Sequence, residues 1–179
     1  TNSGHANKKV KARLQKNIDK GLLHAYCYPT VERAEFLQKL IEITPHYLER
    51  ACLVSTGTEA SERAIKLARI YGMQFNPRKK VIIGGIGNYH GKTMGAQMIS
   101  GQHDDKSWIG YQDPNIHHLN FPYPWEIENP KDFFESEIEK LLKDKNLDPD
   151  KDLCGFMLET FQGWGAVFYP KEFVQALME

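Results

Sequence analysis

Three short apolar runs, at residues 51–55, 81–83 and 153–158, are set between segments whose apolar residues recur at helical spacing. Runs of that length, bounded by turn residues, suit buried strands. Strands alternating with helices specify an α/β fold with a mostly parallel sheet. Val10, Leu14, Ile18 and Leu22 make a narrow stripe and predict a helix over residues 7–21. Thr30 can cap a second helix carrying Ala34, Leu37, Leu40 and Ile41, which Pro45 closes. From Thr58 onward, Ala60, Ala64, Leu67, Ala68 and Tyr71 share a face, and Gly72 suits a C-cap. Asn129-Pro130 opens a helix lined by Phe134, Ile138, Leu141 and Leu142, with a side-chain cap and proline at its first position. A last helix starts at Pro170, with Phe173, Val174 and Leu177 inward. Residues 100–129 show little periodicity but carry Trp108, Tyr111, Phe121, Tyr123 and Trp125. Irregular loops of that length are uncommon unless they are functional or lie in an interface. Three strands are few for such a sheet, so an incomplete domain is expected.

The 179 residues carry 23 Lys plus Arg against 23 Asp plus Glu, so no net field draws the chain to nucleic acid or an anionic membrane. The one basic cluster, Arg78-Lys79-Lys80, reads as the solvated entry to a strand. Cys27, Cys52 and Cys154 form no CxxC pair, which suits reduced thiols in the cytoplasm. Cys52 and Cys154 lie within apolar runs and read as small buried hydrophobes. No stretch has the length of a membrane span or the pattern of a signal peptide. His117-His118 and His103-Asp104-Asp105 lack the spacing of a metal site, and no GxSxG turn supports a serine triad.

In open α/β sheets, ligands bind beyond the carboxyl ends of the strands, and each run ends in polar, aromatic and glycine residues. The first turn, Ser55-Thr56-Gly57-Thr58-Glu59-Ala60, opens into a helix. Gly57 permits close backbone approach, Thr58 adds a hydroxyl, and the helix N-terminus favours an anion; equally, Thr58 could simply cap the helix. Glu59 must point away from any anion bound there. In the second turn, Gly84-Gly85-Ile86-Gly87-Asn88-Tyr89-His90-Gly91, a dinucleotide loop would need glycine at position 90, which is His90. Tyr89 or His90 could instead stack on a flat ring. The third turn places Glu159 at a strand end, where a carboxylate could orient a cofactor or serve only structure. Trp164 there could wall a pocket or simply pack.

Together these turns resemble those of the class III (ornithine/4-aminobutyrate type) aminotransferases of pyridoxal-phosphate fold type I. Residues 56–69 resemble the family's S/T-G-S/T-E-A-x-E-x-A-x-K-x-A-R stretch. Tyr89-His90-Gly91-Lys92-Thr93 is similar to its aromatic-H-G-R-T turn, and Glu159-Thr160-Phe161-Gln162-Gly163 to its E-P-x-Q-G turn. Gly4-His5 with Val10 resembles its G-H-x-H-P-x-V entry. The resemblance implies that Gly57 and Thr58 bind the phosphate of pyridoxal 5'-phosphate (PLP). It implies that Tyr89 stacks on the ring with His90 beside it, and that Glu159 lies near the ring and the substrate. It further implies amino transfer from an amine or amino acid to a 2-oxo acid, in a homodimer. The family's Schiff-base lysine and its pyridinium-pairing aspartate are expected beyond residue 179, so this segment alone should be inactive.

Three departures bear on substrate. Lys92 stands where many members hold a substrate carboxylate with arginine, Trp164 where glutamate users carry a second glutamate, and Thr160 where proline is usual. A different acceptor, such as pyruvate, or a bulkier amine donor is expected. Rival readings are aminomutase or decarboxylase chemistry on the same scaffold, a non-catalytic PLP- or phosphate-binding module, and a nucleotide-dependent oxidoreductase. The expected organisation is an N-terminal helix and connecting segment over residues 1–30 and a partial PLP-binding large domain over residues 31–179.

Overall fold

The computed structural model describes residues 3–21, 27–102 and 104–179, so Leu22 and His103 lie outside the described residues. The chain divides into two compact units, Thr1–Leu53 and Val54–Glu179; the partition expected at residue 30 falls within the first.

The first unit holds α1 (Lys8–Asp19) and α2 (Val31–Ile43). The Asn7 side chain accepts from the Lys9 and Val10 amides. Thr30 Oγ1 accepts from the Arg33 amide at 3.2 Å. Both helices thus begin where a side chain satisfies amides left free in the first turn. The Val10, Leu14 and Ile18 stripe is exposed. Residues 51–55 do not form the expected strand. A strand persists only where a neighbour takes its backbone hydrogen bonds, and among the described residues no strand pairs with this run. Cys52, expected to be buried, is accordingly exposed.

The second unit contains α3 (Gly57–Phe75), β1 (Val81–Gly85), α4 (Met94–Ile99), a 3-10 helix (Asp104–Ile109) and β2 (Ile116–Leu119). It continues with α5 (Pro130–Lys145), α6 (Pro149–Asp152), β3 (Leu153–Met157), the strands β4 (Phe161–Gln162) and β5 (Val167–Phe168), and α7 (Lys171–Met178). The main sheet is parallel, in the order β2-β1-β3. It has the expected three strands, but β2 takes the place of residues 51–55. Two histidines interrupt the apolar pattern of β2, and its apolar ends divide between the faces, Ile116 to one core and Leu119 to the other. The expected irregular loop at 100–129 is therefore partly regular.

β1 is buried along its whole length, as the middle strand of a sheet covered on both faces must be. Val81 and Ile83 meet Leu119, Phe134 and Phe173 under α5 and α7. Ile82 meets Ile65 of α3 and Ile99 of α4 on the other face. A register shift opposite Val81 and Ile82 inserts an extra residue in β3, which lets Leu153 and Phe156 serve the same core. The chain passes from β1 to β2 through α4, then back past β1 to β3 through α5. Reversing direction with right-handed crossovers puts these helices on opposite faces and opens a crevice at the strand ends.

Several local expectations change. Gly72 lies buried inside α3, which runs on to Phe75 with Asn76 as its C-cap. A Cβ at Gly72 would stand 2.6 Å from the Lys79 carbonyl oxygen and 2.8 Å from Cys154 Cβ. The missing side chain lets α3 approach closely on the Ile65, Ala68 and Gly72 side. Leu67 and Tyr71, expected inward, are consequently 56% and 64% exposed. Val174 of α7 is also exposed, whereas Phe173 and Leu177 pack in the core. Arg78 does more than solvate a strand entry: its guanidinium donates to both Asp152 carboxylate oxygens, at 2.7 and 2.6 Å. That paired guanidinium holds the Asp152 carboxyl below the usual carboxylate range.

Candidate active site

The N-terminus of α3 carries the first set of predicted residues. Thr56, not Thr58, caps the helix, its Oγ1 accepting from the Glu59 amide at 3.3 Å. Glu59 turns back past the cap, accepting from the Ser55 amide at 2.7 Å, so its carboxylate is committed to the backbone just before the helix. The Ala60 amide bonds the Thr56 carbonyl. The Gly57 and Thr58 amides are left as the first-turn donors with no acceptor inside the helix. A Cβ at Gly57 would meet nothing within 4 Å. The end of the helix therefore faces open space with two donors and the positive end of its dipole.

The turn after β1 folds onto this helix. Ser61 Oγ donates to the His90 carbonyl at 2.6 Å. Gly91 has φ +130°, and a Cβ there would overlap Thr58 Oγ1; glycine is required both by the backbone and by the contact. The Thr58 and Thr93 hydroxyls are 2.8 Å apart. Asn88 is fully buried, its Oδ1 accepting from the Tyr169 hydroxyl at 3.0 Å. Burial pushes the Tyr169 phenol up to about 12.

The turn after β3 meets the same segment. Glu159 Oε2 accepts from the Tyr89 amide at 3.0 Å. The Gln162 amide donates to the Ile86 carbonyl at 3.3 Å. His90 donates from its backbone amide to Ser100 Oγ at 2.8 Å. Burial lowers the His90 imidazole below its ordinary value, against the opposing pull of Glu159 and a hydrogen bond to the Met157 backbone. Three buried side-chain atoms on these two turns have no partner: Asn88 Nδ2, His90 Nε2 and Gln162 Oε1. Buried polar groups are rarely left so, and their concentration here suits a polar ligand or ordered water.

Gly57, Thr58, Tyr89, His90 and Glu159 are thus tied together by the fold. Lys92 and Trp164 are exposed, Trp164 at 75% in the turn between β4 and β5. Asn88, Gln162, Glu62 and Thr93 belong to the cluster and were not singled out from the sequence. Gln162 and Thr93 stand inside the matched motifs, which was the available signal. Glu62 also stands inside a matched motif, as the second glutamate of the 56–69 stretch, but its partners are 31–34 residues away and no local signal predicts them.

The Aminotransferase class-III family model matches residues 1–179. The mitochondrial acetylornithine aminotransferase of Candida glabrata is 33% identical over 98% of this chain and 39% of its own length. That of Saccharomyces cerevisiae is 30% identical over 92% and 37%. The chain thus spans about two fifths of the length of the curated relatives it matches. Among solved structures, an (S)-enantioselective omega-transaminase from Thermomicrobium roseum superposes with a TM-score of 0.82, at 24% identity over 98% of this chain and 41% of that one. A transaminase from the marine bacterium Virgibacillus reaches a TM-score of 0.83 at 19% identity, over 97% and 38%. The likeness to these two shows a shared α/β fold, of which this chain covers part. The family match, spanning every residue, makes this chain a member of the class-III aminotransferases.

Proposed function

We propose that the full-length protein is a PLP-dependent aminotransferase that moves an amino group from an amine or amino-acid donor to a 2-oxo acid. The observation that carries the reading is the 3.0 Å bond from the Tyr89 amide to Glu159. It joins two strand-end turns beside a helix N-terminus with open space before Gly57. The residues suit the cofactor: two amide donors face that space, and unpartnered polar atoms cluster on the adjoining turns. Solved relatives include PLP-bound transaminases, such as the amine transaminase from an uncultivated Pseudomonas species.

When bound, PLP supplies an electron sink for charge developing on the substrate carbon. Gly57 and Thr58 hold the phosphate through the α3 amides and dipole. Tyr89, its backbone anchored by Glu159, stacks on the ring. His90 stays neutral beside it because burial disfavours the imidazolium. Glu159 has its second carboxylate oxygen left for the ring or the substrate pocket. Lys92 and Trp164 contact substrate. Lysine lacks the planar two-bond fork that arginine offers a carboxylate, so pyruvate as acceptor, or a bulky amine donor, suits this site better than 2-oxoglutarate and glutamate. The protein acts as a homodimer on small molecules, not on nucleic acid or at a membrane; among the described residues no helix is long and apolar enough to cross one. The compartment proposed is the cytoplasm, although the two yeast relatives are named as mitochondrial.

Borohydride trapping of PLP on the full-length protein, read by mass spectrometry, tests the activity. One labelled lysine outside residues 1–179 is the expected result. PLP bound with no labelled lysine would instead indicate a binding module, and absence of PLP binding would overturn the reading. An acceptor panel tests the substrate, since strong selectivity for 2-oxoglutarate would remove the proposed preference.

A further inference from the structure

Glu62 stands one turn inside α3 and is bonded to residues of the β1–α4 connection. Its Oε1 accepts from Thr93 Oγ1 at 2.6 Å, from the Gly95 amide at 2.9 Å and from the Ala96 amide at 3.1 Å. The residue preceding α4 is Thr93, whose side chain makes no capping bond of its own. Glu62 therefore caps α4 from a different helix, satisfying amides that would otherwise be orphaned.

The donors in this cluster can be assigned by counting protons. A carboxylate only accepts, and a threonine hydroxyl has one proton to give. Thr93 gives its proton to Glu62. In the 2.8 Å contact between the two threonines, Thr58 is therefore the donor and Thr93 the acceptor. Thr58 Oγ1 also accepts from the Thr93 amide at 3.3 Å. The result is a directed chain, Thr58 to Thr93 to Glu62, pressed between α3 and the backbone at Gly91. It fixes the position of the Thr58 hydroxyl and commits its proton, leaving the Gly57 and Thr58 amides as the uncommitted donors at the helix entrance.

We propose that Glu62, acting through Thr93, is a positioning residue for the phosphate-binding end of α3. By holding residues 93–96 and orienting the two hydroxyls, it keeps Thr58 and the amides beside it set for an anion. The inference rests on the cofactor reading above. It assigns Glu62 no contact with the ligand; its effect is confined to the phosphate, with the ring untouched.

The test separates phosphate from ring. Full-length protein and its variants are titrated with PLP and, separately, with pyridoxal, which lacks the phosphate, and the ratio of the two affinities is measured by absorbance or fluorescence. For Glu62→Ala the ratio should fall about tenfold, the scale of a network of charge-assisted hydrogen bonds, while pyridoxal affinity holds. Glu62→Gln keeps an oxygen at the Oε1 position, so the same three bonds can form without their charge assistance, and its loss should be smaller than that of Glu62→Ala, about threefold. Thr93→Val, which keeps shape and the helix cap but deletes the relay, removes the bond given to Glu62 and the one accepted from Thr58 and should lose between about threefold and tenfold; it also serves if Glu62→Ala does not fold. An unchanged ratio in Glu62→Ala and Thr93→Val, including an equal loss for both ligands, overturns the inference, leaving Glu62 a fold-supporting cap. A loss in Glu62→Gln as large as in Glu62→Ala overturns it too. If the original protein binds neither ligand, the cofactor reading fails first and the inference with it.

Discussion

The two faces of the parallel sheet are built on different principles. Under α5 and α7 the core is made of large rings: Phe134 and Phe173 meet edge to face with centroids 5.2 Å apart, with Phe156 and Tyr169 against them. Under α3 and α4 the buried cluster is Ile65, Ile82 and Ile99 without a ring, and Ala68, Gly72 and Cys154 let helix and strand backbones come close. The first face derives its stability from the apolar area it buries. The second fixes distances. That is the face whose helices carry Thr58, Glu62 and Thr93, so the close approach there sets the geometry of the candidate site.

If this contrast is right, truncating a ring should cost more than adding a methyl group. Phe173 is 1% exposed, and Phe173→Ala should destabilise the protein by about 3–5 kcal/mol, measured by urea unfolding. A loss below about 1 kcal/mol would mean that the aromatic face does not dominate. Gly72→Ala should cost about 1–3 kcal/mol, because the new Cβ meets the Lys79 carbonyl oxygen and the Cys154 Cβ, neither of which can rotate away. It should also disturb the α3 end of the site, seen as weaker PLP binding, whereas Phe173→Ala should change stability more than binding. The reverse pattern would break the comparison.

The smallest expected effect is a pH dependence. His90 has a folded-state value lowered by burial from 6.5, so the unfolded chain binds its proton first. Its contribution is complete above about pH 6.5 and is lost as the pH falls through the lower folded value. Replacing it with Gln should flatten this part of the stability profile, and NMR of the native protein should show His90 titrating below 6.5. Titration above that value would refute the buried neutral imidazole.

Much of the helical structure was legible because its signals are local. Thr30 and Asn129 each mark a helix start with a side chain that reaches its own first-turn amides. The strands at Val81 and Leu153 were visible as apolar runs because both are covered by cores. β2 was not, because histidines occupy its centre and its two apolar residues point to different cores. The face of α3 was misjudged for a related reason: apolar periodicity records which residues are greasy, whereas Gly72, the residue that governs the approach, adds no hydrophobic signal at all.

The candidate site shows the same division. Sequence motifs assigned the chain to its family and proposed Gly57, Thr58, Tyr89, His90 and Glu159 as candidates, because those residue types recur in order at recognisable turns. The partnerships were outside their reach. Glu59 turning back to Ser55, Glu159 holding the Tyr89 amide across a separation of 70 residues, and Glu62 capping a helix other than its own all depend on where the parallel sheet places its strand ends. By itself the sequence determined element types, caps and motif chemistry, since these rest on short-range sterics and hydrogen bonding. Tertiary structure alone decided which strand completed the sheet, which face of α3 turned inward and which donor each hydroxyl became. Those outcomes depend on close packing and on a finite supply of hydrogen-bond partners, and both are set by contacts between residues far apart in the chain.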